Sequence, residues 1–173
     1  MADAPAGYAI EAADTDDADL MADRWVDLAA DQREYGSHLR PVDNRDRIHE
    51  TLLQHVVTDT ALVARVDEAE SPDAAVVGFV TFGRETGGYA QDVDRGIVHN
   101  IYVAPDHRRA GVGSALLSAA ERTLAARGVE AVALEAMARN AAAQAFYRAE
   151  GYEPHRVELE KPLESDTLTT DDR

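Results

Sequence analysis

Apolar residues recur at intervals of three and four positions in four segments of the chain, which is the spacing of one face of a helix. Trp25 and Leu28 belong to the first of these segments, and Gly128 and Gly151 follow directly after the last two. Glycine commonly ends a helix, because it adopts positive φ angles without strain. We therefore predict helices over residues 20–35, 48–57, 114–127 and 140–150.

Runs of β-branched and other apolar residues between turn-forming residues predict strands around these helices. The segment 155–161 (HRVELEK) differs from the others, because it alternates apolar with charged residues as a half-buried strand does. The element order βααβββαβαβ indicates an α/β or α+β fold with a mixed sheet. The predicted strands cover residues 8–11, 60–67, 75–83, 96–103, 129–137 and 155–161.

Length and composition favour one soluble domain over residues 1–173. The chain has 173 residues, of which 45% are apolar, enough to form a core. The polar segments 1–7 and 164–173 are predicted to be flexible tails. The N-terminus lacks the features of a secretory signal, and no apolar run approaches the roughly 20 residues of a membrane span. We expect a cytoplasmic protein that does not bind membranes.

The charge is strongly one-sided, with 33 acidic residues against 17 basic ones and a net charge of −16. Such a charge argues against a nucleic-acid partner, which requires clustered cations. The acids are spread along the chain and Lys161 is the only lysine, a pattern that resembles proteins of salt-loving archaea. We favour a role in solubility in concentrated salt; the alternative is attraction of a cationic substrate.

The sequence contains no cysteine, which excludes disulfides, thiolate metal sites and a cysteine nucleophile. Apart from His99, the histidines lack the spacing of a metal site and are predicted to lie on the surface. We therefore expect no metal cofactor. These histidines are His38, His49, His55, His107 and His155.

A glycine-containing turn between a strand and a helix is the strongest chemical signal in the chain. Gly111 and Gly113 allow the backbone to turn tightly beside the free N–H groups of the following helix, which favours an anion. Arg108 and Arg109 add two cations suited to phosphate. This turn is not a P-loop, because it lacks the lysine that follows the second glycine of that motif. It does not match the GxGxxG dinucleotide motif either, because Leu116 stands where the third glycine would be.

This turn resembles the acetyl-CoA signature of the GNAT superfamily of N-acetyltransferases, Gln/Arg-x-x-Gly-x-Gly/Ala, which RRAGVG (108–113) matches. The segment NIYVAPDHRRAGVGSALL (100–117) is similar to the whole strand–loop–helix unit of that family. The downstream segment LEAMARNAAAQAFYRAEGY (134–152) resembles the family's second half. Similarity extends from about residue 75 to 161, whereas before residue 60 only the element order agrees.

The resemblance implies a mixed, mostly antiparallel sheet, flanked by helices, in which strands 96–103 and 129–137 splay apart. Acetyl-CoA would bind in the cleft between them and transfer its acetyl group directly to an amine. Many members of the family are dimers, so a homodimer is possible. The implied cofactor-binding residues are Ile101 and Val103 for pantetheine, Arg108, Arg109, Gly111, Val112, Gly113 and Ser114 for pyrophosphate, and Asn140, which either contacts the cofactor or structures its turn.

The resemblance also implies a general acid and leaves the general base open. Tyr147 matches the family's acid, since a phenol with a pKa of about 10 is a proton donor at neutral pH. Glu135 and His99 are the two candidates for the base, and we favour Glu135 from its spacing to Tyr147. Strand alternation predicts His99 on the face of Ile101 and Val103.

We interpret the chain as an acetyl-CoA-dependent N-acetyltransferase whose acceptor is a primary amine of a small molecule, peptide or protein. One alternative is a catalytically silent acyl-CoA-binding regulatory module on the same fold, and another is a nucleotide-binding module. The two N-terminal helices and the loop 84–95 are expected to shape the acceptor site. Candidate lining residues are Trp25, Tyr35, His38 and Tyr89.

Overall fold

The protein is built around one five-stranded sheet with the spatial order β1-β2-β3-β4-β5. The computed structural model describes residues 3–67, 69, 75–87 and 89–163. Neighbouring strands are antiparallel except for β4 and β5, which are parallel, so the predicted mixed, mostly antiparallel sheet is confirmed. The strands are β1 (Tyr8–Ala12), β2 (Ala61–Val66), β3 (Val76–Arg84), β4 (Arg95–Val103) and β5 (Ala131–Leu134).

Helices cover both faces of the sheet, and each face encloses its own part of the core. On one face, residues such as Trp25 and Leu52 pack against Phe79 and Tyr102 of the sheet. On the other, Leu116 and Leu124 pack against strand residues that include Val98. The first face carries α1 (Ala18–Arg33) and α2 (Arg45–Val57), and the second carries α3 (Val112–Ala126) and α4 (Ala141–Ala149).

Strand β4 contains a bulge at His99. Opposite β3, Asn100 pairs with Thr81 while Val98 pairs with Phe82, so His99 is an extra residue with no partner across the pair. A bulge locally breaks the alternation of side chains between the two faces of a sheet. Consequently His99 and Asn100, although consecutive, both contact the side that α1 and α2 cover.

Strands β4 and β5 separate part of the way along their length. Their parallel pairing runs from Arg95–Ala131 to Val98–Leu134, where β5 ends. Strand β4 continues to Val103, and among the described residues no strand pairs with this edge of it. The predicted splay is therefore present, and it leaves a gap beside residues 99–103.

The sequence prediction of a last strand at 155–161 is wrong. These residues are exposed and have no regular secondary structure, so the described order is βααβββαβα. Their alternation is real, but no strand of the described part of the same chain lies alongside them to complete a ladder. Strand β5 is also shorter than the predicted 129–137, because the chain leaves the sheet after Leu134.

Only part of the predicted tails can be compared with the structure. Within the predicted N-terminal tail, the Pro5 carbonyl accepts a hydrogen bond from Tyr8 N (3.1 Å) and the Gly7 carbonyl accepts one from Asp67 N (3.0 Å). The structure therefore ties this segment to the sheet from Pro5 onward. Residues 164–173, the predicted C-terminal tail, lie outside the described residues. None of the described helices is long and apolar enough to cross a bilayer.

Candidate active site

The first turn of α3 presents open backbone donors at the end of the gap between β4 and β5. Helix α3 begins after Gly111, whose φ of +88° is a left-handed conformation that favours glycine, and no side chain caps it. The N–H groups of Val112, Gly113 and Ser114 have no acceptor within the described residues. Uncapped N–H groups and the helix dipole together suit an anion such as a pyrophosphate.

The polar side chains of this turn bond mainly to the protein itself. Arg108 Nε donates to the Val103 carbonyl (2.9 Å), and Arg108 Nη2 lies 3.3 Å from a carboxylate oxygen of Asp31 on α1. Ser114 Oγ donates to Glu150 Oε1 at the end of α4 (2.5 Å). Arg109 is exposed, with a φ of +62°. The backbone and Arg109 are thus the readiest anion donors, whereas Arg108 and Ser114 brace the turn.

Backbone groups of β4 line the gap. Ala104 N–H donates across to Val77 of β3 (2.8 Å). Because N–H and C=O groups alternate sides along a strand, those of Val103 and Ile101 point the other way, into the gap. The side chains of these two residues pack into the core beneath α3. Ile101 can therefore pair through both of its backbone groups with an extended amide-containing arm, and Val103 through its N–H, because the Val103 carbonyl already accepts a hydrogen bond from Arg108.

His99 does not lie on the face that strand alternation predicts. Its ring contacts His55 of α2 (5.4 Å between ring centroids), on the face opposite Ile101 and Val103, because the bulge shifts it across the sheet. Gly83 of β3 lies beside the His99 ring, since a Cβ at this glycine would be in ordinary van der Waals contact with His99 Nε2 (3.6 Å). Partial burial lowers the pKa of His99, and the nearby negative charge of Glu135 opposes that effect.

His55 was expected on the surface and instead lies half-buried beside His99. Its Nδ1 is 2.8 Å from Thr60 Oγ1. Burial lowers the pKa of His55, and the neighbouring His99 lowers it further. Sequence reasoning had no signal for this pair, since 44 positions separate the two histidines and only the sheet brings them together.

A buried hydrogen-bond chain holds the bulge in place. Trp25 Nε1 of α1 donates to Asn100 Oδ1 (3.0 Å), and Asn100 Nδ2 donates to Thr81 Oγ1 (2.9 Å). Thr81 is fully buried. Buried polar groups are stable only when hydrogen-bonded, so each member of this chain depends on the next. Trp25, a candidate lining residue of the acceptor site, therefore has a structural role beside the site.

Tyr147 lies on α4 within a small aromatic cluster. Its ring contacts Phe146 (5.2 Å) and Tyr152 (6.1 Å between centroids). Burial raises the pKa of Tyr147 above its usual value near 10, so the phenol remains protonated at neutral pH. The Tyr152 hydroxyl, in contrast, donates to Glu121 Oε1 (2.7 Å). Tyr147 has the protonation state that a general acid needs.

Asn140 and Glu135 flank the connection between β5 and α4. Asn140 Oδ1 accepts from Ala143 N (2.9 Å) and caps α4, which is the structural one of its two predicted roles. Glu135 follows the last residue of β5 and is exposed, so it lies where the two strands separate. The negative charge of Glu135 acts on the pKa of His99, so the two candidate bases interact electrostatically.

Among the described residues, no hydrogen bond or ring contact joins the other candidate acceptor residues to one another. His38 Nε2 is 2.8 Å from Glu160 Oε1, Tyr89 is 91% exposed, and Tyr35 N donates to the Gln32 carbonyl at the end of α1 (3.0 Å). Among the described residues, no group of three or more His, Asp or Glu side chains is placed to hold a metal ion.

The sequence was compared with known families and proteins. Residues 22–152 match the model of the acetyltransferase (GNAT) family. Over 161 residues the chain is 35% identical to a mycothiol acetyltransferase of Clavibacter michiganensis, a match that covers 90% of this chain and 46% of that protein. The chain thus spans less than half the length of this relative.

The fold was compared with solved structures. It is similar to a GCN5-related N-acetyltransferase from Ralstonia eutropha, with a TM-score of 0.68, 26% identity, and coverage of 91% of this chain and 99% of the other. An aminoglycoside N-acetyltransferase solved with CoA shares the fold at 16% identity, with a TM-score of 0.65 and coverage of 90% and 94%. The splayed strands, the uncapped glycine turn and the family match over residues 22–152 agree with one another, and the chain belongs to the acetyltransferase (GNAT) family.

Proposed function

We propose that the protein transfers an acetyl group directly from acetyl-CoA to a primary amine. The observation that carries this proposal is the gap between β4 and β5, which opens beside the uncapped first turn of α3. Open backbone donors for a polyanion and for an extended amide arm therefore lie along one continuous path. The left-handed conformation of Gly111 leaves the first N–H groups of α3 uncapped, and these donors fit the pyrophosphate of the co-substrate.

The backbone residues of this path hold the co-substrate, which supplies the acetyl thioester. The N–H groups of Val112, Gly113 and Ser114, with Arg109, bind the pyrophosphate, and Ile101 and Val103 pair with the pantetheine arm. Arg108 can contribute its charge only by leaving Asp31, since its guanidinium is engaged there. Asn140 fixes the start of α4 and so holds Tyr147 in place.

Two proton transfers are assigned to side chains, one to Glu135 or His99 and the other to Tyr147. A protonated amine, with a pKa of about 10.4 for a lysine-type group, has no lone pair and cannot attack the thioester. Glu135 removes its proton through a water molecule, with neutral His99 as the alternative base. Tyr147 donates the proton that the departing thiolate requires. No step needs a metal ion or a covalent acyl-enzyme.

The acceptor belongs to the amines of small molecules in this proposal. The support is the 35% identity to a mycothiol acetyltransferase, although that protein is about twice as long as this chain. Peptide and protein amines are the alternative acceptors.

Two measurements test the proposal. The melting temperature of the protein is compared with CoA, ATP and NAD, and stabilisation by CoA alone is expected. Steady-state release of CoA thiol from acetyl-CoA is then followed with a panel of amines. Stabilisation by ATP or NAD instead of CoA would show a nucleotide-binding module. CoA binding without thiol release for any amine would show a silent acyl-CoA-binding module.

A further inference from the structure

A surface cavity of about 420 Å³ lies at the end of α1, where the chain turns toward α2. Arg33 is the last residue of α1, and the other lining residues belong to residues 34–44, here called the α1–α2 connection. Two of the six lining side chains are arginines and a third is a histidine, in a chain with a net charge of −16. The lining residues are Arg33, His38, Arg40, Pro41, Val42 and Asp43.

Arg33 is a positioned cation without a carboxylate partner among the described residues. Its Nη1 donates to the Leu39 carbonyl (2.6 Å), which holds the guanidinium against the α1–α2 connection. No acidic side chain of the described chain pairs with it, although acidic residues outnumber basic ones by 33 to 17. Because a guanidinium has several N–H donors, Arg33 can hold the connection and bind a ligand at the same time.

Arg40 is the second cation of the cavity, and its own carboxylate partner is held weakly. Arg40 Nη1 is 3.6 Å from Asp43 Oδ2, and both side chains are largely exposed. An exposed ion pair of this kind contributes little free energy, so an incoming anion can displace Asp43. The carboxylate of Glu160 is already engaged by His38, whose Nε2 lies 2.8 Å from it. Two arginines with planar N–H forks suit a carboxylate or a phosphate.

Helix α1 links this cavity to the gap beside β4. Trp25 of α1 hydrogen-bonds to the side chain that follows His99 on β4. Asp31, in the last turn of α1, contacts Arg108 just beyond the end of β4. Arg33 follows Trp25 by eight positions, which corresponds to about 12 Å along the helix axis. A ligand with an amine at the bulge and an anion at Arg33 therefore needs a spacer between these two groups.

We propose that the cavity binds an anionic group of the acceptor, a carboxylate or a phosphate that a spacer separates from the amine. The inference rests on the proposed acetyl transfer and narrows its acceptor to amines that carry a negative charge at their far end. The two arginines offset locally the repulsion that an anion meets from a molecule with a net charge of −16. An anion that is held equally in the ground state and the transition state affects KM more than kcat.

A pair of acceptors that differ only in the anion tests the proposal. The parent protein should show a kcat/KM for 8-aminooctanoate at least about tenfold above that for 8-aminooctanamide, through a lower KM, because the amide loses the charge-assisted hydrogen bonds. Arg33→Gln and Arg40→Gln should each reduce this preference and leave kcat for the amide unchanged. Arg47→Gln is the matched control, since Arg47 is exposed on α2, carries the same charge and does not line the cavity.

Anion binding is also measured without turnover, by nuclear magnetic resonance of the arginine Nε–Hε groups. Isotope-labelled protein, saturated with CoA at the turn into α3, is titrated with inorganic phosphate and with acetate, and the variants assign the signals. The signals of Arg33 and Arg40 should shift and saturate, whereas that of Arg47 should not. The anion that binds more tightly identifies the group as phosphate or carboxylate.

The two measurements separate failure of this inference from failure of the proposed function. Thiol release without a preference for 8-aminooctanoate, or a preference that survives in both Arg33→Gln and Arg40→Gln, overturns the anionic acceptor. Arginine signals at the cavity that do not respond to either anion overturn it as well. Absence of thiol release with every amine contradicts the acetyl transfer itself, and the titration alone then supports or overturns the anion site.

Discussion

His99 illustrates how a single extra residue decides which side chains meet. Both candidate bases, His99 and Glu135, could be named from the sequence, but the face of His99 could not. A bulge has no reliable sequence signature, because it depends on how β3 and β4 align in three dimensions. The contact between His55 and His99 could not be predicted from the sequence for the same reason, because it forms only when α2 packs on the sheet.

The pH dependence of the reaction should distinguish the two bases. We expect Glu135→Gln to lower kcat/KM across the neutral range and His99→Gln to leave the acid limb of the profile in place. Burial lowers the pKa of His99 from 6.5, so a limb due to His99 would fall below pH 6.5. The assignment must be reversed if His99→Gln removes such a limb while Glu135→Gln resembles the parent.

Replacing Tyr147 tests the general acid. Tyr147→Phe keeps the ring in its contacts with Phe146 and Tyr152 and deletes only the hydroxyl. Because general acid catalysis typically contributes about 10²–10⁴-fold, turnover should fall by that factor while CoA affinity changes little. Tyr152→Phe, measured in parallel, should retain activity, since that hydroxyl bonds to Glu121. Unchanged turnover in Tyr147→Phe would assign sulfur protonation to water.

Among the elements, the turn into α3 was the most predictable from sequence. Its glycines, its arginines and the apolar helix that follows are all local features, so residue spacing alone located the uncapped backbone turn at which we propose that the pyrophosphate binds. The side-chain roles were less predictable. The partners of Arg108 and Ser114, which are Asp31 and Glu150, come from α1 and from the end of α4, and no local motif links them to the turn.

A pair of glycine variants tests this turn. Gly111→Val and Gly36→Val both place a β-branched residue at positive φ (+88° and +100°), so both should lose stability by a similar amount. Only Gly111 lies at the first turn of α3, so only Gly111→Val should also weaken CoA binding, which isothermal titration calorimetry measures. Equal CoA affinities in the two folded variants would place the pyrophosphate elsewhere.

Strand β5 and the segment 155–161 show where element prediction fails. Both were predicted from the pattern of apolar residues. That pattern does not report whether a neighbouring strand lies alongside to complete the ladder. For 129–137 the separation of the strands ended the pairing at Leu134, and for 155–161 the described part of the chain offers no neighbour.

In the whole molecule, arginines neutralise the excess negative charge only at a few places. Arg45 contacts Asp19 and Asp23, and Arg65 contacts Glu11 and Asp17. Each of these two arginines contacts two carboxylates. Over the whole sequence the acidic residues outnumber the basic ones by 33 to 17, so many carboxylates exceed the available cations. At low ionic strength the negative charges of the surplus acidic residues are not screened, so they repel one another across the surface.

Salt should therefore stabilise the protein. The melting temperature is expected to rise from low salt to molar potassium chloride, because the screening length falls from about 10 Å at 0.1 M to about 3 Å at 1 M. Circular dichroism in a series of potassium chloride concentrations measures this directly. A flat or falling curve would contradict a role of the acids in salt tolerance and favour attraction of a cationic acceptor.

The bulge at His99 also makes one position of β4 removable. Without residue 99, the flanking pairs Val98–Phe82 and Asn100–Thr81 become consecutive, and both keep the faces they occupy now. A one-residue deletion at this point would give an uninterrupted ladder, with the hydrogen bonds of Trp25, Asn100 and Thr81 retained. The same deletion would remove both the bulge and the imidazole of His99. We therefore expect the sheet to tolerate the loss of residue 99, the position of one of the two candidate bases.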